Sequence, residues 1–154
     1  MNQVEEFEKV VEEAKSKPVK VVVVTGKPGS GKSKVLREAA EDKKWDYIDC
    51  RLLITEQFLE IPPAERRNKA AAMMSEILDT YDAEVIMLDR LQTLFVPVFH
   101  IDIADLLAKL SEKYVIVTAW PGYMEDGKLC YDKFDGTESI RISAEGFTLW
   151  NVDK

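Results

Sequence analysis

The stretch Val19-Lys20-Val21-Val22-Val23-Val24, with Gly26-Lys27-Pro28-Gly29-Ser30-Gly31-Lys32-Ser33-Lys34 close behind it, decides the fold. An apolar, β-branched run reads as a buried strand, the glycines as a tight loop, and Lys34-Val35-Leu36-Arg37-Glu38-Ala39-Ala40 as the helix that leaves it. Residues 26–33 complete the spacing GxxxxGK[ST] in the strand–loop–helix context that the pattern requires. Glycines let successive backbone N–H groups turn inward, and the helix start adds its positive end, so the loop is shaped for a polyphosphate. Lys32 is placed to reach the outer phosphates and the Ser33 hydroxyl to ligate Mg²⁺.

Working outward, Val4, Phe7, Val10, Val11 and Ala14 recur at helical spacing over 3–16, which predicts an amphipathic helix within the segment 1–17. Residues 45–50 (Trp-Asp-Tyr-Ile-Asp-Cys) alternate as a strand, and Pro62-Pro63 opens a helix over about 63–79. Val85-Ile86-Met87-Leu88-Asp89 is a buried strand ending in a carboxylate, and Asp102 precedes the stripe Ile103, Leu106, Leu107, Leu110. Residues 114–119 form another apolar strand, stopped by Trp120-Pro121-Gly122. Beyond the turn at 125–127, residues 128–131 suggest an outlying strand, and 139–143 and 147–152 two short strands around Ala144-Glu145-Gly146. Continuous apolar strands alternating with helices predict a mostly parallel sheet of about five strands with helices on both faces, one domain spanning 1–154.

Asp89 then takes a definite role: a carboxylate closing an apolar strand, one unit downstream of the loop, holds the Mg²⁺ that Ser33 and the nucleotide share. The strand at 45–50 intervenes between the two motif strands, an arrangement that normally sets a catalytic Glu beside the metal-holding Asp. Here Arg90 follows Asp89 instead, and a guanidinium accepts no proton, so hydrolysis is expected to be slow or to need a residue from elsewhere. Asp49 is the nearest other carboxylate; a strand-end Asp bonded to local backbone is the plainer reading of it. Thr118 ends its strand where a γ-phosphate sensor would sit, or is simply a buried hydroxyl. Arg66 and Arg67 are either a solvated helix face or an arginine finger across a subunit interface. His100 has no expected catalytic role, and Trp120 to Tyr123 form an aromatic loop open to packing, partner or nucleotide contact.

The net charge of −7 speaks against a strong autonomous nucleic-acid binder, leaving only weak or indirect contact. Cys50 and Cys130 match no metal-ligand spacing and read as buried thiols of a reducing cytosol. The acidic, amphipathic N-terminus is unlike a signal peptide, and no apolar run reaches membrane-spanning length, so a cytoplasmic location is expected.

The loop at 26–33, Tyr47-Ile48-Asp49-Cys50-Arg51 and the strand ending Leu88-Asp89 resemble the core of AAA+ ATPases, closest to the initiator branch with its Cys-Arg after the second strand. That likeness implies ATP and Mg²⁺ as cofactors, Lys32, Asp89 and Thr118 as catalytic positions, and a three-layer αβα core whose sequence stops before the helical lid of full AAA+ modules. Leu88-Asp89-Arg90-Leu91 through Leu94-Phe95, then Val117 to Gly122, then Gly127-Lys128-Leu129-Cys130-Tyr131, together resemble the BrxF family, the small P-loop proteins of type III BREX bacteriophage-defence systems. Membership implies a nucleotide-binding subunit beside a large ATPase and a methyltransferase, with a homo-oligomer also open. Where that family carries a His-Pro-Glu-Tyr-like motif, this chain reads Asp135-Gly136-Thr137-Glu138-Ser139-Ile140. A small-molecule or nucleotide kinase of similar size is the alternative; residues 90–135 supply only the scattered Arg90, Lys109, Lys113, Lys128 and Lys133 for its basic lid. The Asn-Lys-x-Asp run of a GTPase is absent from the sequence.

Overall fold

The computed structural model describes residues 2–81, 84–132 and 139–153; Lys133 and the stretch Asp135 to Glu138 lie outside them. Helix α1 (Gln3–Ala14) precedes β1 (Val21–Thr25) and the glycine loop, which enters α2 (Lys32–Lys43). Strand β2 (Asp46–Asp49), the short α3 (Glu56–Glu60), α4 (Pro63–Leu78), β3 (Val85–Asp89), α5 (Ile103–Leu110) and β4 (Val115–Ala119) follow. The chain closes with β5 (Tyr123–Glu125), β6 (Lys128–Asp132), β7 (Ser139–Ser143) and β8 (Thr148–Asn151).

Five strands form one parallel sheet in the order β2-β3-β4-β1-β8. Successive side chains of a strand point to opposite faces, and the valines of β1 divide accordingly. Val22 and Val24 pack with Phe7, Val11, Leu36 and Ala39 of α1 and α2. Val21 and Val23 pack with Met74, Leu78, Leu107 and Leu110 of α4 and α5. Both faces are therefore covered, which is the three-layer α/β architecture and the reason these strands lack alternation.

The order of strands differs from the expectation in one respect. The strand lying between the two motif strands in the sheet is β4, whereas β2 sits outside β3 at the edge. Chain order alone does not encode this, because parallel strands pair through crossovers and neighbours in sequence need not be neighbours in space. The last two predicted strands also part company. β7 joins β5 and β6 in a small antiparallel sheet, while β8 pairs with β1 and completes the main sheet.

The small sheet is pinned close to the strand ends. Trp120 is 1% exposed, packs on Phe95 with ring centroids 5.4 Å apart, and donates its indole N–H to the Cys130 carbonyl at 2.9 Å. At Gly122 the backbones approach so closely that a Cβ would lie 1.8 Å from that same carbonyl oxygen, so only glycine fits. The aromatic loop thus packs inward at Trp120 and leaves Tyr123 exposed.

Among the described residues, no helix is long and apolar enough to cross a membrane. Both cysteines are buried, and burial pushes the Cys50 thiol far up, which keeps it inert.

Candidate functional site

The loop between β1 and α2 turns through Gly29 (φ 78°) and Gly31 (φ 96°), a left-handed region costly for other residues. A Cβ at either would meet open space, so the requirement is backbone conformation alone. The Ser30 hydroxyl oxygen is buried with no hydrogen-bond partner among the described residues. Lys32, half-buried at the first position of α2, donates to the Gly26 carbonyl at 2.8 Å and makes no ion pair with a described residue. Burial lowers its pKa, with Asp153 acting in the opposite sense. An ammonium held this way has no described carboxylate within ion-pair distance, and the phosphates of a nucleotide would supply an anion.

Asp89 stands at the carboxyl end of β3 on the α2 side of the sheet, 6% exposed. Its Oδ1 accepts from the Ser33 hydroxyl at 3.0 Å and from the Arg90 backbone N–H at 2.9 Å, and its Oδ2 accepts from the Tyr47 hydroxyl. The two residues read as metal-holding are therefore in direct contact across 56 positions of sequence. Their chemistry, a hydroxyl and a carboxylate beside a half-buried lysine, suits a Mg²⁺ shared with phosphate oxygens.

A cavity of about 370 Å³ opens over Lys32, Ser33 and Asp89, and its walls also include Arg37, Tyr47, Arg90 and Gln92. Tyr47 and Arg37 were legible in principle. Position 47 is two residues before Asp49, the register partner of Asp89 on β3, and Arg37 lies four residues after Ser33 on the same helix face. Burial, with Asp89 next, raises the Tyr47 pKa, so the phenol stays protonated and donates. Gln92 follows β3 in a 3₁₀ turn over 91–95, where no periodicity marks it. Asp153, whose carboxylate accepts from the Lys27 backbone N–H at 2.7 Å, is 126 residues distant and carried no local signal.

Other predicted residues are engaged differently. Arg90 adopts left-handed φ 58°, ψ 44°, and turns its guanidinium to Asp49, with Nε 3.1 Å from Oδ2. Asp49 caps the turn after β2 by accepting from the Arg51 N–H at 2.9 Å, and Arg51 also reaches its Oδ2 at 2.8 Å. Arg51 foremost holds the Asp49 carboxyl below the ordinary range, so it is a fixed anion engaged by two guanidiniums. The local-backbone reading of Asp49 is the one the geometry matches. Thr118 is fully buried and donates to the Leu88 carbonyl at 2.8 Å. It lies in register with Leu88, one position short of Asp89, and Ala119 lines the cavity in its stead.

Arg66 matches neither a solvated face nor a finger. It is 6% exposed, donates to the carbonyls of Ile61 at 3.1 Å and Leu59 at 2.8 Å, and lies 5.8 Å from the Phe58 ring centroid. The unpredicted helix α3 is what it grips: the carbonyls where α3 ends need donors, and a buried arginine supplies them. Arg67 points outward and pairs with Asp102 at 3.0 Å, and His100 sits in a turn with φ 53°.

No protein-family model matches the chain, and no curated protein sequence matches it. Several solved structures are similar to it in part. A katanin structure concerned with self-assembly is 18% identical with TM-score 0.44, over 74% of this chain and 42% of that one. PCH-2 of C. elegans is 13% identical with TM-score 0.46, over 97% and 41%. AMPPCP-bound DnaA of Aquifex aeolicus is 18% identical with TM-score 0.43, over 96% and 45%. The chain spans less than half the length of each.

Proposed function

We propose that this chain binds ATP with Mg²⁺ and acts as a slow or partner-dependent ATPase within a BREX-type bacteriophage-defence complex. The observation that carries the nucleotide reading is the Ser33–Asp89 contact at 3.0 Å beneath a loop of left-handed glycines. Ser30, whose buried hydroxyl has no partner among the described residues, and Lys32, whose ammonium makes no ion pair with them, fit a phosphate; Ser33 and Asp89 fit the metal. Bound there, the metal would neutralise charge on the phosphates. Lys32 and Arg37 put two cations on the cavity wall beside the Asp89 carboxylate, in addition to Arg90, which is paired with Asp49, and this favours a polyanion.

The slow rate follows from Arg90 in the place of a water-activating carboxylate and from Asp49 being tied up by Arg51 and Arg90. The defence role rests on the motif resemblance set out above. It carries with it the large ATPase and methyltransferase as partners, with a homo-oligomer also open; the net charge of −7 adds weak or indirect nucleic-acid contact, and the acidic N-terminus a cytoplasmic location. Steady-state turnover of the purified chain tests the catalytic part. A kcat well under about 1 s⁻¹, rising on addition of a co-purifying partner, is expected. Rapid turnover by the isolated chain would overturn it.

A further inference from the structure

A second recess, of about 370 Å³, opens on the other side of the glycine loop, with Gly26, Pro28, Tyr123, Met124 and Asn151 among its walls. Sheet order separates it from the cavity described above. That cavity lies over the ends of β3 and β4, whereas this recess lies over the ends of β1 and β8, where Thr25 and Asn151 reach it. Its chemistry differs as well. An aromatic ring, a thioether and a proline face it, and Tyr123 and Met124 are 40% and 37% exposed.

The ring is held in place from several sides. Tyr123 donates its hydroxyl to Asp132 Oδ2 at 2.9 Å across the β5–β6 hairpin. The hairpin is fixed by the Trp120 bond to the Cys130 carbonyl and by the close approach at Gly122. The loop on the opposite wall is fixed too, since Asp153 holds the Lys27 N–H and Val152 donates its N–H to the Thr25 carbonyl at 2.9 Å. An immobilised aromatic face loses little entropy when a flat ligand stacks on it.

We propose that this recess is the nucleoside subsite of the nucleotide site, with the base stacked on Tyr123 and flanked by Met124 and Pro28. The inference rests on the phosphate-binding reading above. A phosphate chain whose outer end lies toward Asp89 on β3 crosses β1 at the loop, and its nucleoside then emerges on the β8 side, where the recess opens. Neither the loop motif nor the carboxylate at 89 carries this information; it comes from a hairpin placed between β4 and β8.

Calorimetric titration of the full chain with Mg²⁺–ATP and with Mg²⁺–tripolyphosphate, which has no base, tests the proposal. Tyr123→Ala is expected to weaken ATP by about five- to 150-fold and to leave tripolyphosphate unchanged. Tyr123→Phe, which keeps the ring, is expected to bind ATP within about twofold of the original chain. Unchanged ATP affinity in Tyr123→Ala would overturn the proposal. Equal weakening of both ligands would overturn it too, by showing that Tyr123 only supports the loop. A wild-type chain that binds both ligands equally tightly removes the subsite and keeps the phosphate cradle; one that binds neither removes the cradle itself.

Discussion

Replacing Arg66 by methionine separates a structural arginine from a catalytic one. Methionine keeps most of the apolar stem and its packing but has no N–H groups. Arg66 donates to two carbonyls, at 3.1 and 2.8 Å, and is 6% exposed. Hydrogen bonds from a charged donor contribute about 1.5–3 kcal/mol each, and the Phe58 contact about 0.5–1 more. Leu59 is itself 46% exposed, so water can satisfy part of what is lost. The lower end, about 3.5 kcal/mol in all, is therefore expected. In a chain of this length that lowers Tm by about 7–14 °C. Thermal unfolding followed by circular dichroism reads the shift directly, and nucleotide affinity below Tm should be unchanged. A variant as stable as the original that loses turnover in an assembled complex would refute the reasoning and restore the arginine-finger role.

Asp89→Asn keeps the side chain's shape but removes its charge and one of the two acceptor oxygens that face Ser33 and Tyr47. Its ATP affinity should no longer respond to Mg²⁺, whereas the original chain should bind more tightly with metal than with EDTA; a variant with full metal dependence would exclude Asp89 as the metal carboxylate. Glu8 tests a different part of the fold. Burial between α1 and α2 foremost, then Asp42, raises its pKa from 4.5 to about 7. The folded state holds the proton more tightly than the unfolded chain, so this contribution is complete below about pH 4.5 and is lost as pH rises through about 7. Glu8→Gln should therefore raise Tm relative to the original chain at pH 8 and leave it little changed at pH 5, and equal offsets at both values would contradict the assignment.

Local patterns revealed more of this protein than its long-range pairing. The bounds of β3, Val85–Asp89, follow from five buried residues and a terminal carboxylate, and the loop–helix junction follows from glycine spacing. The apolar stripe of α5, starting just after Asp102, was equally visible. The position of β4 between β1 and β3 was not, because every buried parallel strand presents the same apolar run whichever neighbour it takes. Helix α3 was too short for a period to emerge, and its partner Arg66 looked like an ordinary surface charge. At the site, Ser33 and Asp89 carried motif signals. Asp153 and the recess at Tyr123 depend on how β8 and the hairpin fold back on the loop, which no local spacing encodes.

Thermal unfolding of the full chain with Mg²⁺–ATP, set beside Lys32→Ala, tests the central claim most directly. At a ligand concentration 100 times Kd, native-state binding adds about 2.7 kcal/mol, or about 5–11 °C of Tm for a chain of this size. That rise is predicted for the original chain, with no rise for Lys32→Ala and similar Tm values for the two without ligand. A flat response in the original chain, or an equal rise in both, would contradict the phosphate cradle at Gly26–Ser33.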